Sequence, residues 1–199
     1  LGQEIERMGA RRAIVLSTPE QRASAEHIAT LLGERAAGIF DRAVMHVPIE
    51  TAREAREFAR QLDADCAVAV GGGSTVGLGK AIALESPLPI IAIPTTYAGS
   101  EMTTIYGITE GGLKKTGRAD QVLPRTVLYD PELTLGLPVA MSITSGMNAI
   151  AHAAEGLYSA TTNPIIELMA QEGIRALGRA LPEVRRQPRD VEARSDALY

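Results

Sequence analysis

The sequence predicts an α/β fold in which a parallel sheet is covered by helices and is followed by a helical region. Three observations support this. Short apolar runs alternate with amphipathic helical patterns over the first two-thirds of the chain, and one run leads directly into the three glycines at residues 71–73. From Pro138 onward only helical patterns occur. Apolar strands that alternate with helices are typical of a parallel sheet buried on both faces.

The elements of the α/β part follow in chain order. Four apolar runs are predicted as strands, at residues 13–17, 43–47, 64–70 and 89–93. Helices are predicted between them, at residues 20–35, at residues 51–62 and from the glycines to about residue 84. Each strand is therefore expected to lie beside a helix that covers it.

The later part of the chain has a different pattern. Short β-like pieces at residues 103–109 and 126–129 surround a turn that contains glycine and lysine. Pro138 suits the first turn of a helix, and a second helix is predicted to begin after Asn163 and to end near residue 180.

These patterns divide the chain into an α/β domain at residues 1–137 and the start of an all-helical domain at residues 138–199.

Hydrophobic residues make up 45% of the chain and charged residues 22%, which is ordinary for a globular protein. The formal net charge of -4 gives no reason to expect nucleic-acid binding. No apolar run is long enough to span a membrane and no signal segment opens the chain, so a cytoplasmic protein is expected. The single cysteine, Cys66, is predicted to be a buried thiol, which excludes a disulfide framework.

The glycines at residues 71–73 and the following Ser74 indicate a phosphate-binding turn. Glycines let a phosphate approach the backbone, and the N-terminus of a helix favours negative charge. A Walker A loop does not fit the spacing, and Ala81 replaces the hydroxyl residue that would bind magnesium. The Rossmann G-x-G-x-x-G pattern also fails, because Val76 stands at the third glycine position. A tight turn without a ligand is the alternative interpretation.

A second loop, at residues 94–103, supports the nucleotide interpretation. It is rich in hydroxyl and small side chains and follows the next predicted strand. It is therefore expected at the carboxyl edge of the sheet, where ligands bind in open α/β folds. The alternative is an ordinary polar loop.

Asn148 and His152 lie four residues apart in a predicted helix and are expected on one face. An Asp paired with His at this spacing would supply two ligands for a divalent metal. An Asn supplies only a neutral amide oxygen, a poorer ligand for zinc or iron. The substitution therefore bears directly on whether the chemistry uses a metal.

The motifs at residues 71–75, 94–103, 129–131 and 145–155, in this order, resemble the iron-containing alcohol dehydrogenase superfamily, and within it the maleylacetate reductases. The resemblance implies a Rossmann-like nucleotide-binding domain followed by an all-helical domain of the dehydroquinate synthase type, the latter truncated here. It also implies reduction of the carbon–carbon double bond of maleylacetate, a small dicarboxylate, to 3-oxoadipate in aromatic-compound degradation. The implied cofactor is NADH or NADPH, and a homodimer is expected.

The resemblance assigns cofactor contacts by position. Gly72, Gly73 and Ser74 would hold the pyrophosphate. Three hydroxyl residues of the second loop would line the cofactor near its ribose and nicotinamide, and a lysine would reach a ribose hydroxyl; these are Thr95, Thr96, Ser100 and Lys115. Many relatives place an Asp after the first strand, where it repels a 2′-phosphate. That place is Ser17 here, beside Thr18, so both NADH and NADPH are predicted to be accepted.

The same resemblance implies that His152 acts as the acid at the ketone oxygen of the substrate, that Asn148 orients substrate or histidine, and that no metal takes part. The alternative for His152 is a hydrogen-bonded core residue. Glu101 and Glu155 are weaker site candidates, and the alternative for each is a cap or a hydrogen-bond partner between elements. Tyr97 and Met102 could flank the nicotinamide, and the alternative for them is packing against the sheet. Two other functions stay open: a metal-dependent alcohol dehydrogenase, and a nucleotide-binding fragment without catalysis.

Overall fold

The structure is a computed structural model that describes all 199 residues. It divides into two compact units. Leu1–Pro94 and Ser100–Leu128 form the first, which we call the sheet unit. Thr95–Gly99 and Tyr129–Tyr199 form the second, which we call the helical unit. The predicted domain boundary at residue 137 stays a prediction.

The sheet unit contains all seven strands. In chain order they are β1 (Ala13–Leu16), β2 (Ala36–Phe40), β3 (Cys66–Gly71), β4 (Ile90–Pro94), β5 (Ile105–Glu110), β6 (Leu113–Arg118) and β7 (Thr126–Val127). Five of them form a parallel sheet in the order β2-β1-β3-β4-β7, while β5 and β6 form a separate antiparallel ribbon.

The helices divide between the two units. Those of the sheet unit are α1 (Gly2–Arg7), α2 (Arg22–Leu32), α3 (Ile49–Gln61) and α4 (Gly73–Ala83). Those of the helical unit are α5 (Val139–Tyr158), α6 (Pro164–Arg186) and α7 (Val191–Leu198). No helix combines the length and the apolar content that crossing a bilayer would require.

The three central strands explain the position of the candidate site. Every residue of β1, β3 and β4 is buried, as expected for strands covered by helices on both faces. Because these strands are parallel, the residues that follow them emerge at one edge of the sheet. The predicted class, a Rossmann-like parallel α/β sheet followed by helices, is confirmed.

One strand was wrongly predicted. Residues 43–47 form a turn in which His46 and Val47 have φ angles of 66° and 44°, and the second strand is β2, which lies before it. Val47 is buried in the core and gives the turn its strand-like apolar pattern. β2 escaped prediction because it begins with small residues. At Gly38 an added Cβ would lie 2.6 Å from Leu62 Cδ1. The absence of a side chain at Gly38 therefore lets the C-terminal end of α3 pack closely against β2.

The ribbon strand β6 was also missed, because it was interpreted as a turn. Its residues are mostly exposed and lack the alternation of apolar and polar residues that predicts a half-buried strand. It forms by pairing with β5, from Ile105 opposite Arg118 to Glu110 opposite Leu113.

The helical unit has its own small core. Gly146 on α5 lets α6 approach closely, because an added Cβ would lie 2.5 Å from Leu181 Cδ2. Tyr97, from the segment after β4, is buried in the same cluster as Leu181 and Leu198. The helix predicted to end near residue 180 continues to Arg186.

Candidate active site

The first polar residues of the site follow β1. Ser17 is fully buried, and its backbone N–H donates to the carbonyl oxygen of Phe40 at 3.1 Å. Its hydroxyl is buried and has no hydrogen-bond partner. Thr18 is half-buried and begins a short 3-10 helix. The backbone N–H of Glu20, and then the Thr18 hydroxyl, hold the pKa of the exposed Glu20 carboxylate below its usual value. Of the two residues assigned to the adenosine ribose, only Thr18 is therefore open to solvent.

Gly71 forms the tight turn at the end of β3. Its φ angle of 155° lies in the region that favours glycine. A Cβ added there would lie 2.3 Å from Thr75 Oγ1 and 2.6 Å from Gln21 Oε1. Only glycine fits this position, so the turn is shaped by close approach of side chains from α4 and from the segment after β1.

α4 then begins with Gly72 as its N-cap and without a side-chain cap. The N–H groups of Gly73 and Ser74 have no acceptor within the helix, because the first N–H groups of any helix lack one. Helix N-terminal N–H groups and the helix dipole together attract an anion. The turn therefore presents free backbone donors at the start of α4, and the binding of a phosphate there stays a prediction.

A buried hydroxyl on α4 adds to this donor set. Thr75 is fully buried, and its Oγ1 has no partner, like the Ser17 hydroxyl. An unsatisfied buried polar group costs about 1–3 kcal/mol, so a ligand or water that bonds it is favoured. Phosphate and ribose oxygens are suitable partners. The residues present therefore fit a nucleotide cofactor, and Thr75 is a candidate that the sequence patterns did not single out.

The segment after β4 carries the other predicted cofactor contacts. Thr95 is 3% exposed and Thr96 is half-buried. The backbone N–H of Tyr97 donates to Ser145 Oγ at 3.0 Å, and the Tyr97 side chain packs in the core of the helical unit rather than against the sheet, as its structural interpretation had it. Ser100 begins a 3-10 helix.

Lys80 is a second residue that sequence reasoning missed. Its side chain is fully buried, and Nζ donates to the carbonyl oxygens of Thr103 and Ile105, both at 2.7 Å, and to Thr103 Oγ1 at 3.0 Å. Burial lowers the pKa of Lys80 to about 8, against an opposing contribution from the buried carboxylate of Glu101. The available signal was a lysine inside an otherwise apolar helix.

Two of the predicted residues, Lys115 and Met102, have exposed side chains. Lys115 on β6 forms an ion pair with Glu110 of the same ribbon at 2.6 Å, and this pair lowers the pKa of Glu110. Its contact with a ribose stays a prediction. Met102 is 64% exposed.

On α5, Asn148, His152 and Glu155 lie on one exposed stripe of the helix. His152 Nδ1 is 3.3 Å from Glu155 Oε2, and both side chains are more than 60% exposed, at 63% and 62%. His152 is therefore not a core residue. If Nδ1–H donates to Glu155, Nε2 is the atom left to act on a ligand.

This stripe presents two donors to a metal ion, the neutral amide oxygen of Asn148 and Nε2 of His152. An amide oxygen is a poor ligand for iron. No group of three or more His, Cys, Asp or Glu side chains in the structure is arranged to hold a metal ion.

Comparison with known proteins places this geometry in a family. The family model described as iron-containing alcohol dehydrogenase matches residues 1–131, and the model of the C-terminal part of Fe-containing alcohol dehydrogenases matches residues 142–199.

Among similar proteins, maleylacetate reductases from Burkholderia cepacia and Pseudomonas sp. (strain P51) are 68% and 59% identical over 199 residues, which cover 100% of this chain and 56% of each relative. The chain thus spans just over half the length of these relatives.

Two solved structures are similar to this chain over its whole length. Maleylacetate reductase from Agrobacterium tumefaciens superposes with a TM-score of 0.97 at 57% identity, covering 100% of this chain and 57% of that one. Sulfoacetaldehyde reductase from Bifidobacterium kashiwanohense, in complex with NAD+, superposes with a TM-score of 0.91 at 26% identity, covering 100% of this chain and 59% of that one. The chain belongs to the iron-containing alcohol dehydrogenase family.

Proposed function

We propose that this chain is part of an NAD(P)H-dependent reductase that converts the carbon–carbon double bond of maleylacetate to the single bond of 3-oxoadipate, a step in the degradation of aromatic compounds. The observation that carries the proposal is the 68% identity with maleylacetate reductase of Burkholderia cepacia over all 199 residues. The turn after β3 and the polar stripe on α5 supply groups that such a reaction needs.

The first requirement is a cofactor site. A reduced nicotinamide nucleotide supplies a hydride when it is bound. We assign its pyrophosphate to the N–H groups of Gly73 and Ser74, with Gly72 allowing close approach. The unpartnered hydroxyls of Ser17 and Thr75 are available to bond cofactor oxygens directly or through water. Further cofactor contacts proposed by position are Thr18, Thr95, Thr96, Ser100 and Lys115.

Both NADH and NADPH are proposed as cofactors. Neither Ser17 nor Thr18 carries a charge that would repel a 2′-phosphate. The nearby Glu20 carboxylate is exposed, so that water and salt screen its charge.

His152 is the proposed acid. Addition of hydride to an alkene conjugated with a ketone builds negative charge on the ketone oxygen. A protonated His152 can donate from Nε2 to that oxygen, while Glu155 accepts from Nδ1 and stabilises the imidazolium. Asn148 lies one turn earlier on the same stripe and can orient the substrate through its amide.

We further propose that the reaction proceeds without a metal. The amide of Asn148 stands where a carboxylate ligand would be needed, and a histidine proton takes the place of a Lewis acid. The alternative, a metal-dependent alcohol dehydrogenase, requires a donor set that Asn148 and His152 alone do not form.

The test is an NADH-consumption assay with maleylacetate on the intact protein, with and without EDTA, together with metal analysis of the active enzyme. We expect turnover that EDTA does not change and a metal content well below one ion per chain. Loss of activity in EDTA, restored by iron or zinc, would overturn the metal-free mechanism. Binding of NADH without any turnover would favour a nucleotide-binding protein without catalysis. The expected homodimer is checked by the mass of the protein in solution.

A further inference from the structure

Arg194 on α7 is buried in an unusual environment. Its side chain is fully buried, and all of its hydrogen-bond partners are neutral oxygens. Nε donates to the Pro188 carbonyl at 3.1 Å and Nη2 to the Leu137 carbonyl at 3.2 Å. Nη1 donates to Ser142 Oγ at 2.7 Å and to the Tyr97 hydroxyl at 3.2 Å. Burying a guanidinium without a carboxylate is costly unless its donors are satisfied. Its four hydrogen bonds offset that cost and hold the guanidinium in one orientation, which suits a group that positions one of its partners.

Among these partners, Tyr97 is the one that lies next to predicted cofactor contacts. It lies in Thr95–Gly99, the segment that follows β4 and that belongs to the helical unit. Tyr97 is held twice: its backbone N–H donates to Ser145 Oγ at 3.0 Å, and its hydroxyl accepts from Arg194. With 5% exposure, its ring is also fixed by packing.

The two residues before Tyr97 belong to the same segment and follow its position. Thr96 is joined directly to Tyr97, and Thr95 is joined to Thr96. A fixed Tyr97 therefore limits the conformational freedom of both threonines. A displacement of about 1 Å of a group that positions a ligand can change a rate or an affinity substantially.

We propose that Arg194 is a positioning residue for the nicotinamide cofactor: acting through the Tyr97 hydroxyl, it holds Thr95 and Thr96 where they bind the cofactor. This rests on the proposed function, because it takes these two residues as cofactor contacts. Arg194 itself touches no ligand in this scheme. The alternative is that the Arg194–Tyr97 contact only stabilises the helical unit.

The decisive variant is Tyr97→Phe, which removes one hydroxyl and keeps the ring in the core. In the intact enzyme we expect KM for NADH to rise about threefold to tenfold, the scale of one lost hydrogen bond, with kcat at saturating NADH changed less than about twofold. The matched control is Tyr158→Phe, which removes the hydroxyl of a tyrosine that is 77% exposed and should change neither constant.

Arg194→Lys provides the second arm, because lysine keeps the charge but cannot reproduce the fork of donors. We expect the same rise in KM for NADH, and no further rise when Arg194→Lys and Tyr97→Phe are combined, since both act through one bond. If Arg194→Lys does not fold, Tyr97→Phe decides alone. An unchanged KM for NADH in Tyr97→Phe overturns the proposal, and so does a fall in thermal midpoint without a change in that KM.

A direct measurement separates this proposal from the proposed function. NADH binding followed by its fluorescence requires no substrate. If the wild-type enzyme binds NADH but does not reduce maleylacetate, the substrate assignment fails, while weaker NADH binding by Tyr97→Phe still supports the positioning role. Equal NADH binding by the variant and the wild type contradicts that role whatever the substrate is.

Discussion

The glycine turn of the sheet unit and the α5 stripe of the helical unit differ in how far their functional polar side chains are exposed. In the sheet unit the hydroxyls of Ser17 and Thr75 are fully buried beside a glycine turn and have no partner. In the helical unit Asn148, His152 and Glu155 lie on an exposed stripe of α5. One region holds polar groups in a preformed, desolvated place, and the other presents them to solvent.

This difference suggests that the glycine turn and the α5 stripe have different roles. A preformed turn with unsatisfied donors suits tight, oriented binding of a cofactor that is used in every turnover. An exposed histidine beside a carboxylate suits proton donation to a substrate that enters and leaves. Changes in the sheet unit should therefore act on cofactor binding, and changes on the α5 stripe should act on the chemical step.

The largest effect is expected from His152→Ala. Removing the proposed acid should lower kcat by about 100-fold, the usual scale for loss of a general acid. KM for NADH should stay within about twofold, because the cofactor contacts lie elsewhere. The control is His27→Ala, which removes an exposed histidine of α2. Wild-type kcat in His152→Ala would remove histidine from the mechanism and leave the α5 stripe without a catalytic role.

The complementary change is Gly71→Ala. The added Cβ would lie 2.3 Å from Thr75 Oγ1, so the turn must move. We expect KM for NADH to rise at least about tenfold, comparable to the loss of one hydrogen bond to a charged group. Gly178→Ala on α6 makes the same substitution where an added Cβ meets nothing, and it should leave KM unchanged. If Gly71→Ala lowered only kcat, the different roles of the glycine turn and the α5 stripe would be wrong.

A smaller effect is expected from Thr18→Asp, which tests cofactor choice within the sheet unit. The wild-type enzyme should use NADH and NADPH with similar kcat/KM, and a preference of about a thousandfold for NADH would contradict the uncharged site. In the variant, like-charge repulsion at an exposed site should lower kcat/KM for NADPH about fivefold relative to NADH. Thr18→Asn has nearly the same shape without the charge and should change the ratio little.

The smallest effect concerns stability and pH. Lys80 has a folded-state pKa lowered to about 8 from 10.5, so between these pH values the unfolded chain binds more protons at this lysine than the folded chain. Stability contributed by Lys80 should therefore rise with pH across this window. The thermal midpoint of the wild type should therefore rise relative to that of Lys80→Met, by at least roughly 2–4 °C across this window. Lys114→Met controls for loss of an exposed lysine from the same unit. A difference that is constant over this window would mean that the three hydrogen bonds of Lys80 keep its proton.

Much of the sheet could be predicted because its signals are local. The strands β1, β3 and β4 are continuous apolar runs, and the turn of residues 71–73 is visible as three glycines. The strand β2 could not be predicted, since small residues such as Gly38 are chosen for contact with α3 rather than for strand propensity. The ribbon strand β6 likewise depends on its partner β5.

The candidate site, too, could be predicted only where its signals are local. The stripe with Asn148 and His152 follows from helical spacing alone, and the structure adds Glu155 as the partner of His152. Lys80 was visible only as an unexplained charge in an apolar helix, and Arg194 carried no signal at all.

The sequence by itself determined the class of fold, the strands β1, β3 and β4, the glycine turn and the residues on the exposed face of α5, because each of these depends on neighbours within a few positions. Only the tertiary structure decided that Ser17 and Thr75 are buried without partners, that Lys80 holds the segment at Thr103, and that Arg194 reaches Tyr97 across 97 positions of the chain. Burial and long-range hydrogen bonds depend on which distant segments pack together, and no local pattern of residues encodes that.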